Sequence, residues 1–329
     1  MSLLHAFSYC LWYINSNASN GIFKVGTQDF PAYQKTKVDG LLGQKIEELE
    51  SRLNPCTLCP RHCKVNRIVG QPGYCGAPHN LYVSSVFAHF GEESPLVGTN
   101  GSGTIFLTHC NLKCSFCQNY DISILGDGSP CSYGQLAALM INLEEKGCHN
   151  INFVTPTHYA PQLVRSLSVA IDRGLSIPIV YNCGGYESLE VIRLLEGIVD
   201  IYMPDIKFLD GALSKRFCGV KDYPEVVRAV VQEMQRQVGN LLIDSSGIAR
   251  RGLLIRHLVM PSCGEDTKNV LQFIRNEISQ DAFVNIMAQY HPCYRADKYR
   301  EISRRITDQE FREALEFARS IGLSRASPH

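Results

Sequence analysis

From about residue 103 onward, short runs of β-branched and aliphatic residues alternate with segments whose apolar positions recur at helical spacing. This alternation predicts strands joined by crossover helices, and therefore a parallel sheet. The predicted strands are 104–108, 151–154, 177–181, 199–202, 253–259 and 283–287. The predicted helices are 134–146, 161–172, 189–195, 224–237, 267–278 and 307–320.

Six strand–helix units of this kind predict an α/β fold, an open (βα)6 partial TIM barrel with a Cys-rich N-terminal extension. The active sites of barrels lie at the carboxyl ends of their strands. Functional side chains are therefore expected just after each predicted strand.

The residues before this region follow a different pattern. Apolar positions in 41–53 form one helical stripe, 55–78 is rich in Cys, Pro and Gly, and 81–89 reads as an edge strand. We therefore divide the chain into a segment of unknown fold (1–54), a Cys-rich metal-binding subdomain (55–90) and the partial-barrel domain (91–329).

Composition and charge limit the classes of function that fit this chain. Lys plus Arg and Asp plus Glu both number 32, so no basic field favours a nucleic-acid partner. No apolar run is long enough for a membrane helix, and residues 1–15 make a poor signal peptide, so a cytoplasmic location is expected.

Cysteine usage fits a reducing compartment in which thiolates serve as metal ligands. Seven of the 14 cysteines lie in two groups. The other seven are scattered, and we expect them to be small buried hydrophobic residues: Cys10, Cys131, Cys148, Cys183, Cys218, Cys263 and Cys293.

The more informative group is Cys110, Cys114 and Cys117, placed just after a predicted strand. A [4Fe–4S] cluster normally takes four thiolates, so three ligands would leave one iron open for a reactant. A structural zinc ion is the alternative, with His109 as a fourth ligand.

The stretch GSGTIFLTHCNLKCSFCQNYDIS, residues 101–123, resembles the radical S-adenosylmethionine (SAM) enzymes, and within them the homologues of pyruvate formate-lyase activating enzyme. The resemblance spans roughly residues 55–307. The further matching segments are NINFVTPTH, PIVYNCGGYE, VDIYMPDIK, GLLIRHLVMP and NIMAQYHP.

The resemblance implies roles for individual residues. Cys110, Cys114 and Cys117 match the cluster ligands, and Phe116 matches the residue whose backbone meets the adenine of SAM. The matches expected to bind the cofactor at strand ends are Asp205, Lys207, Arg256 (near the SAM carboxylate) and His291. The alternatives are that Asp205 and Lys207 form only a local ion pair, that Arg256 is a surface charge, and that His291 is a loop residue.

One segment departs from the pattern of the activases. They carry a Gly-Gly-Glu-Pro segment that holds the amino group of SAM, whereas this chain has Thr155-Pro156-Thr157-His158. Oxygen atoms of this segment could replace the contact, but it offers no carboxylate. Residues 182–185, Asn-Cys-Gly-Gly, either approach the cofactor closely or form a tight strand–helix turn.

The second group comprises Cys56, Cys59, Cys63 and Cys75. Four thiols in a segment too small to fold alone indicate a metal site. Zinc and an auxiliary iron–sulfur cluster both remain open.

The resemblance implies reductive cleavage of SAM by a [4Fe–4S] cluster to a 5′-deoxyadenosyl radical, which abstracts hydrogen from a substrate. The expected partners are a glycyl radical enzyme as protein substrate and an electron donor such as flavodoxin or ferredoxin. No acid or base residue is assigned. The alternative is a zinc- or iron–sulfur-containing binding or electron-transfer protein without SAM chemistry.

Overall fold

The computed structural model describes residues 31–328. The expectations made for the first 30 residues, including Cys10, lie outside this range. Within it, no helix is both long and apolar enough to cross a membrane.

The centre of the described fold is a ten-stranded sheet with strand order β10-β9-β8-β6-β5-β4-β2-β1-β3, in which β7 pairs with β8. Pairing is parallel from β2 to β10 along this order, while β1, β3 and β7 pair antiparallel with their neighbours. The strands are β1 (Leu81–His89), β2 (Ser102–Leu107), β3 (Ser129–Cys131), β4 (Ile151–Val154), β5 (Ile179–Cys183), β6 (Ile201–Pro204), β7 (Leu242–Ile243), β8 (Ala249–Leu258), β9 (Phe283–Met287) and β10 (Ala326–Pro328).

Helices connect these strands, and their starts are encoded locally. The longer helices α5 and α11 each begin at a capping box, formed by Ser132 with Gln135 and by Thr307 with Glu310. The helices are α1 (Ala32–Val38), α2 (Leu41–Ser51), α3 (Ser94–Val97), α4 (Tyr120–Ser123), α5 (Tyr133–Glu145), α6 (Ala160–Asp172), α7 (Leu189–Leu194), α8 (Gly211–Cys218), α9 (Tyr223–Val238), α10 (Gly264–Phe273) and α11 (Asp308–Ser320).

The mixed α/β class with a largely parallel sheet is confirmed, and each predicted strand overlaps an observed one. The partial-barrel interpretation is consistent with this sheet. The count of six units stays a prediction, because β10 adds another parallel strand beside β9. The unpredicted strand β3 pairs with β1, so β1 is not at the sheet edge. The register of a three-residue strand carries too little periodicity to be predicted.

The N-terminal helices share the core of the sheet. Ala32 donates its backbone N–H to Asp200 Oδ1 (2.7 Å), and the Tyr33 hydroxyl donates to the Ile177 carbonyl (2.8 Å). The apolar stripe of α2, Leu42, Ile46 and Leu49, lies in the same hydrophobic cluster as the sheet. Burial raises the pKa of Asp200 to about 7. The proposed domain boundaries remain predictions.

Two apolar layers lie on opposite faces of the sheet. The larger one contains Val164 and Leu167 of α6 and Tyr181 of β5. The smaller one contains Leu96 of α3, Val180, Ile201 and Leu254. Because successive residues of a strand point to opposite faces, the neighbours Val180 and Tyr181 place the two layers on opposite faces.

Candidate functional site

The loop from Cys110 to Cys117, here called the Cys110 loop, connects the end of β2 to α4. It is fastened from both sides: Ser115 donates its N–H to the Phe217 carbonyl, and Arg295 donates its N–H to the Ser115 carbonyl, both at 2.8 Å. His109 has φ 71° and Lys113 has φ 56°, the left-handed conformation that lets the loop turn tightly. These contacts set the direction of the three thiols.

All three thiols of the Cys110 loop are free and line one cavity of about 240 Å³. This central cavity lies where the parallel strands end, as expected for a barrel enzyme. Its walls include the strand-end residues Leu107, Val154, Cys183, Leu258 and Met287.

Cys114 is buried, Cys110 and Cys117 are half-buried, and their sulfur atoms have polar neighbours. The Leu112 N–H donates to Cys110 Sγ (3.4 Å), and Cys117 Sγ lies 3.1 Å from Ser123 Oγ. Burial raises the pKa of Cys110 to about 11 and also raises that of Cys117. Buried thiols become thiolates readily when a metal supplies the compensating charge, so this donor set suits a metal centre.

The residues of the Cys110 loop do not form a ready site for a single metal ion. Among residues 31–328, no three Cys, His, Asp or Glu side chains converge closely enough to hold one. The zinc site of three thiols and His109 that the sequence left open is therefore not preformed in this structure. Cys218 Sγ lies 3.3 Å from Cys114 Sγ, but Cys218 does not line the cavity.

Asp205, Lys207 and Arg256 also line the central cavity. Lys207 Nζ lies 2.8 Å from Asp205 Oδ2, and Arg256 Nε lies 2.8 Å from Asp205 Oδ1. Burial opposes ionisation of Asp205, but the charges of Arg256 and Lys207 outweigh it and lower the pKa of Asp205 to about 2. The local ion pair considered from sequence therefore exists, and it faces the cavity.

Sequence reasoning missed the groups that orient Arg256. Its Nη2 donates to Asn182 Oδ1 (2.8 Å), and its Nη1 lies 3.4 Å from Glu92 Oε2. Asn182 belonged to the segment singled out after the third predicted strand, but its partner was not foreseen. Glu92 follows β1, and no periodic pattern or motif marks it.

Phe116 and His291 differ in placement. Phe116 lines the cavity, and its ring packs edge-on against Phe208 with the ring centroids 6.0 Å apart. His291 is not part of the cavity wall; its Nδ1 lies 3.2 Å from Gln118 Nε2, and Gln118 does line the cavity. The structure thus places His291 beside the cavity and not within it.

Of the segment 155–158, only Thr155 lines the cavity. Thr157 turns away and donates its hydroxyl to Glu187 Oε1 (2.7 Å). His158 Nε2 lies 2.7 Å from the Thr108 carbonyl, and burial lowers the pKa of His158 to about 3. The carboxylate of the cavity is therefore Asp205, and Thr155 supplies neutral oxygen atoms beside it.

Residues 182–184 also contribute to the cavity wall, whereas Gly185 shapes the chain behind it. Gly185 has φ 77°, and a Cβ there would lie 2.5 Å from the Asp205 carbonyl oxygen. The close approach of these strand ends therefore requires glycine at this position. The tight turn expected here is present at Gly185, and the close approach of residues 182–184 to a cofactor stays a prediction.

Comparison with known proteins places this site in a wider group. The family model described as Radical SAM superfamily matches residues 104–244. An uncharacterized protein of Methanocaldococcus jannaschii is 34% identical over 296 residues, which is 86% of this chain and 80% of that protein.

Solved structures give weaker likenesses. SuiB of Streptococcus suis bound to S-adenosylmethionine matches with a TM-score of 0.47 and 13% identity over 67% of this chain and 48% of that chain. Methylornithine synthase matches with a TM-score of 0.44 and 13% identity over 68% of this chain and 63% of that chain. The matched region spans about half the length of SuiB and less than two thirds of methylornithine synthase.

The matched family segment contains the whole Cys110 loop as well as Asp205 and Lys207. The related archaeal protein extends the similarity over most of the chain. By these two findings, the chain belongs to the radical SAM superfamily.

Proposed function

We propose that this chain is an enzyme that holds a [4Fe–4S] cluster on Cys110, Cys114 and Cys117 and binds SAM at the remaining iron. The observation that carries this is that three free thiols of one loop, one buried and two half-buried, line the same strand-end cavity. When bound, cluster and SAM supply one-electron cleavage of SAM and a 5′-deoxyadenosyl radical that abstracts hydrogen from a substrate.

The charged groups of the cavity fit the polar end of SAM. Arg256 offers a planar fork of donors that suits a carboxylate, and its orientation is set in advance by Asn182 and Glu92. Lys207 contributes a second positive charge, while Asp205 and the oxygens of Thr155 are acceptors for an amino group. Phe116 is the proposed neighbour of the adenine.

Part of the cavity wall is apolar. Leu107, Leu112, Leu258, Met260 and Met287 line the cavity together with the charged groups. Apolar side chains of this kind would hold a substrate hydrogen against the cofactor and keep solvent from the reactive position. His291, outside the wall, is proposed to act only through Gln118.

An anaerobic assay tests this proposal. The chain, reconstituted with iron and sulfide and reduced with dithionite, is expected to convert SAM to methionine and 5′-deoxyadenosine. A cluster-replete sample that forms no 5′-deoxyadenosine, and whose EPR spectrum does not respond to SAM, would instead indicate the binding or electron-transfer alternative.

We further propose that the hydrogen comes from a backbone glycine of a partner enzyme, with flavodoxin or ferredoxin as the electron donor. The support is the sequence resemblance to glycyl-radical-enzyme activases. Adding a glycyl radical enzyme from the same source is expected to generate an organic radical EPR signal with hydrogen from the glycine found in 5′-deoxyadenosine. Deuterium transfer from a small molecule instead would contradict the glycine substrate.

A further inference from the structure

The four cysteines Cys56, Cys59, Cys63 and Cys75, here called the Cys56 group, are brought together by the backbone. Cys56 donates its N–H to the Val65 carbonyl (2.8 Å) and accepts from the Lys64 N–H (3.0 Å), so the segments carrying Cys56 and Cys63 are paired. The segment carrying Cys75 lies against them.

This segment approaches the other thiols closely. A Cβ placed on Gly73 would lie 3.4 Å from Cys63 Sγ. Cys75 lies near enough to Cys56, Cys59 and Cys63 for their charges to interact with it. Cys56, Cys59 and Cys75 are buried and Cys63 is half-buried. All four thiols are free, so none is used in a disulfide.

A single metal ion and a cluster require different arrangements of thiols. A tetrahedral zinc ion with sulfur bonds of about 2.3 Å places its sulfur atoms only about 3.8 Å apart. In the described part of the chain, no three potential ligands form a ready site for a single metal ion, and this holds for the Cys56 group as for the Cys110 loop. A cluster spreads its thiolates over several irons and so requires neighbouring thiols that need not converge on one point.

The surroundings also suit an anionic cluster. The Tyr74 N–H donates to Cys63 Sγ (3.2 Å), as the Leu112 N–H does to Cys110 in the Cys110 loop. The guanidinium of Arg67, which is 1% exposed, is held close to this group by its hydrogen bond to the carbonyl of Pro78 (2.7 Å), three residues after Cys75. Hydrogen bonds to sulfur and nearby charges are the means by which proteins stabilise iron–sulfur clusters and set their potentials.

The Cys56 group touches the Cys110 loop directly. Arg61 lies between Cys59 and Cys63, and its Nε donates to the Asn111 carbonyl at 2.9 Å. Gly76, next to Cys75, packs so closely on His109 that a Cβ there would lie 3.3 Å from the ring. The two groups of thiols are therefore adjacent in the fold although they are separate in sequence.

We propose that Cys56, Cys59, Cys63 and Cys75 bind a second iron–sulfur cluster whose iron positions are all occupied by protein or sulfide ligands, beside the Cys110 loop. This site provides no open position for SAM, in contrast to the first one. The proposal does not depend on SAM cleavage, because it concerns the occupant of a separate donor set.

Metal analysis of the anaerobically purified full-length chain tests it. About six to eight irons per chain with matching sulfide and no zinc are expected, because one four-iron cluster alone accounts for only about four. One zinc per chain, or about four irons without zinc, would overturn the proposal.

Variants assign the iron to its site. A triple variant, Cys110→Ala, Cys114→Ala and Cys117→Ala, is expected to form no 5′-deoxyadenosine but to keep the second cluster, with a dithionite-reduced EPR signal that SAM does not change. The double variant Cys59→Ser, Cys75→Ser is expected to lose that signal and two to four irons. The control Cys148→Ser changes a thiol in neither group and is expected to lose no iron.

Full loss of iron in the triple variant while circular dichroism stays native would contradict the proposal. If that variant does not fold, the wild-type metal count decides.

Discussion

The Cys110 loop and the Cys56 group are adjacent, yet the cations beside them are used differently. Near the loop, Lys207 and Arg256 line a cavity and share Asp205 as partner. Beside the Cys56 group, Arg67 donates instead to the carbonyl oxygens of His158 (2.6 Å) and Pro78 (2.7 Å). Lys207 and Arg256 thus face the cavity, whereas Arg67 is hydrogen-bonded to backbone carbonyls.

This difference separates a reactive site from a closed one. Charges that face a cavity can be reorganised by a ligand, whereas a guanidinium bonded to buried carbonyls holds chain segments together. Arg67 ties the Cys56 group to the segment after β4, which contains His158. The surroundings of the Cys110 loop are therefore suited to binding a ligand, and those of the Cys56 group to holding chain segments in a fixed geometry.

The sharpest test of this contrast replaces a proposed ligand of the Cys110 loop. Cys114→Ala is expected to lower 5′-deoxyadenosine formation by more than about 100-fold, because loss of a metal's outer-shell partner alone costs about 10–100-fold. Cys131→Ser, which alters a half-buried thiol of β3, is the control and should stay within about twofold. Equal activity of the two variants would refute the assignment of Cys114.

For the closed region, Arg67→Met is expected to lower the free energy of unfolding by roughly 3–5 kcal/mol, since two buried carbonyls lose charge-assisted hydrogen bonds. Arg165→Met is the matched control: Arg165 also makes two hydrogen bonds, to Glu50, but at the surface, so a loss of at most about 1 kcal/mol is expected. Anaerobic urea denaturation followed by circular dichroism measures both. Similar losses would mean that Arg67 is not a structural clamp.

Glu187 is a buried carboxyl group that accepts hydrogen bonds from the hydroxyls of Thr157 and Tyr181. Burial raises the pKa of Glu187 from 4.5 to about 7, so the folded chain holds a proton that the unfolded chain has released in this range. Stability should therefore fall as pH rises from about 4.5 to 7, and Glu187→Gln should remove this loss. Between pH 5 and pH 8 the variant should gain about 2–3 kcal/mol relative to wild type in urea unfolding. An unchanged difference at the two pH values would contradict the raised pKa.

The smallest expected effect concerns the guanidinium group of Arg256. Arg256→Lys keeps the charge but cannot hold Asp205 and Asn182 at the same time, so the KM for SAM is expected to rise about tenfold. Arg250→Lys on the same strand is the control, because Arg250 pairs with Asp244 outside the cavity wall. If both variants raised the KM equally, recognition of the SAM carboxylate by the paired donors of Arg256 would be excluded.

Much of the fold could be predicted because its signals are local. Alternating apolar runs located six parallel strands, and the apolar stripe of 41–53 predicted α2. The helix α8 (Gly211–Cys218) was missed although Asp210 caps its start and Gly219 ends it. The short strands β3 and β10 escaped prediction because three residues carry no clear period. The extent of the sheet was missed for the same reason.

By itself, the sequence determined which side chains are available for metal chemistry. Cys110, Cys114 and Cys117 are so close in sequence that their three thiols must share one loop, whatever surrounds that loop. Only the tertiary structure decided what surrounds them. Glu92 reaches Arg256 across 164 positions of sequence, and Arg61 reaches Asn111 across 50. Such contacts arise from the packing of distant segments, and no local pattern of residues encodes them.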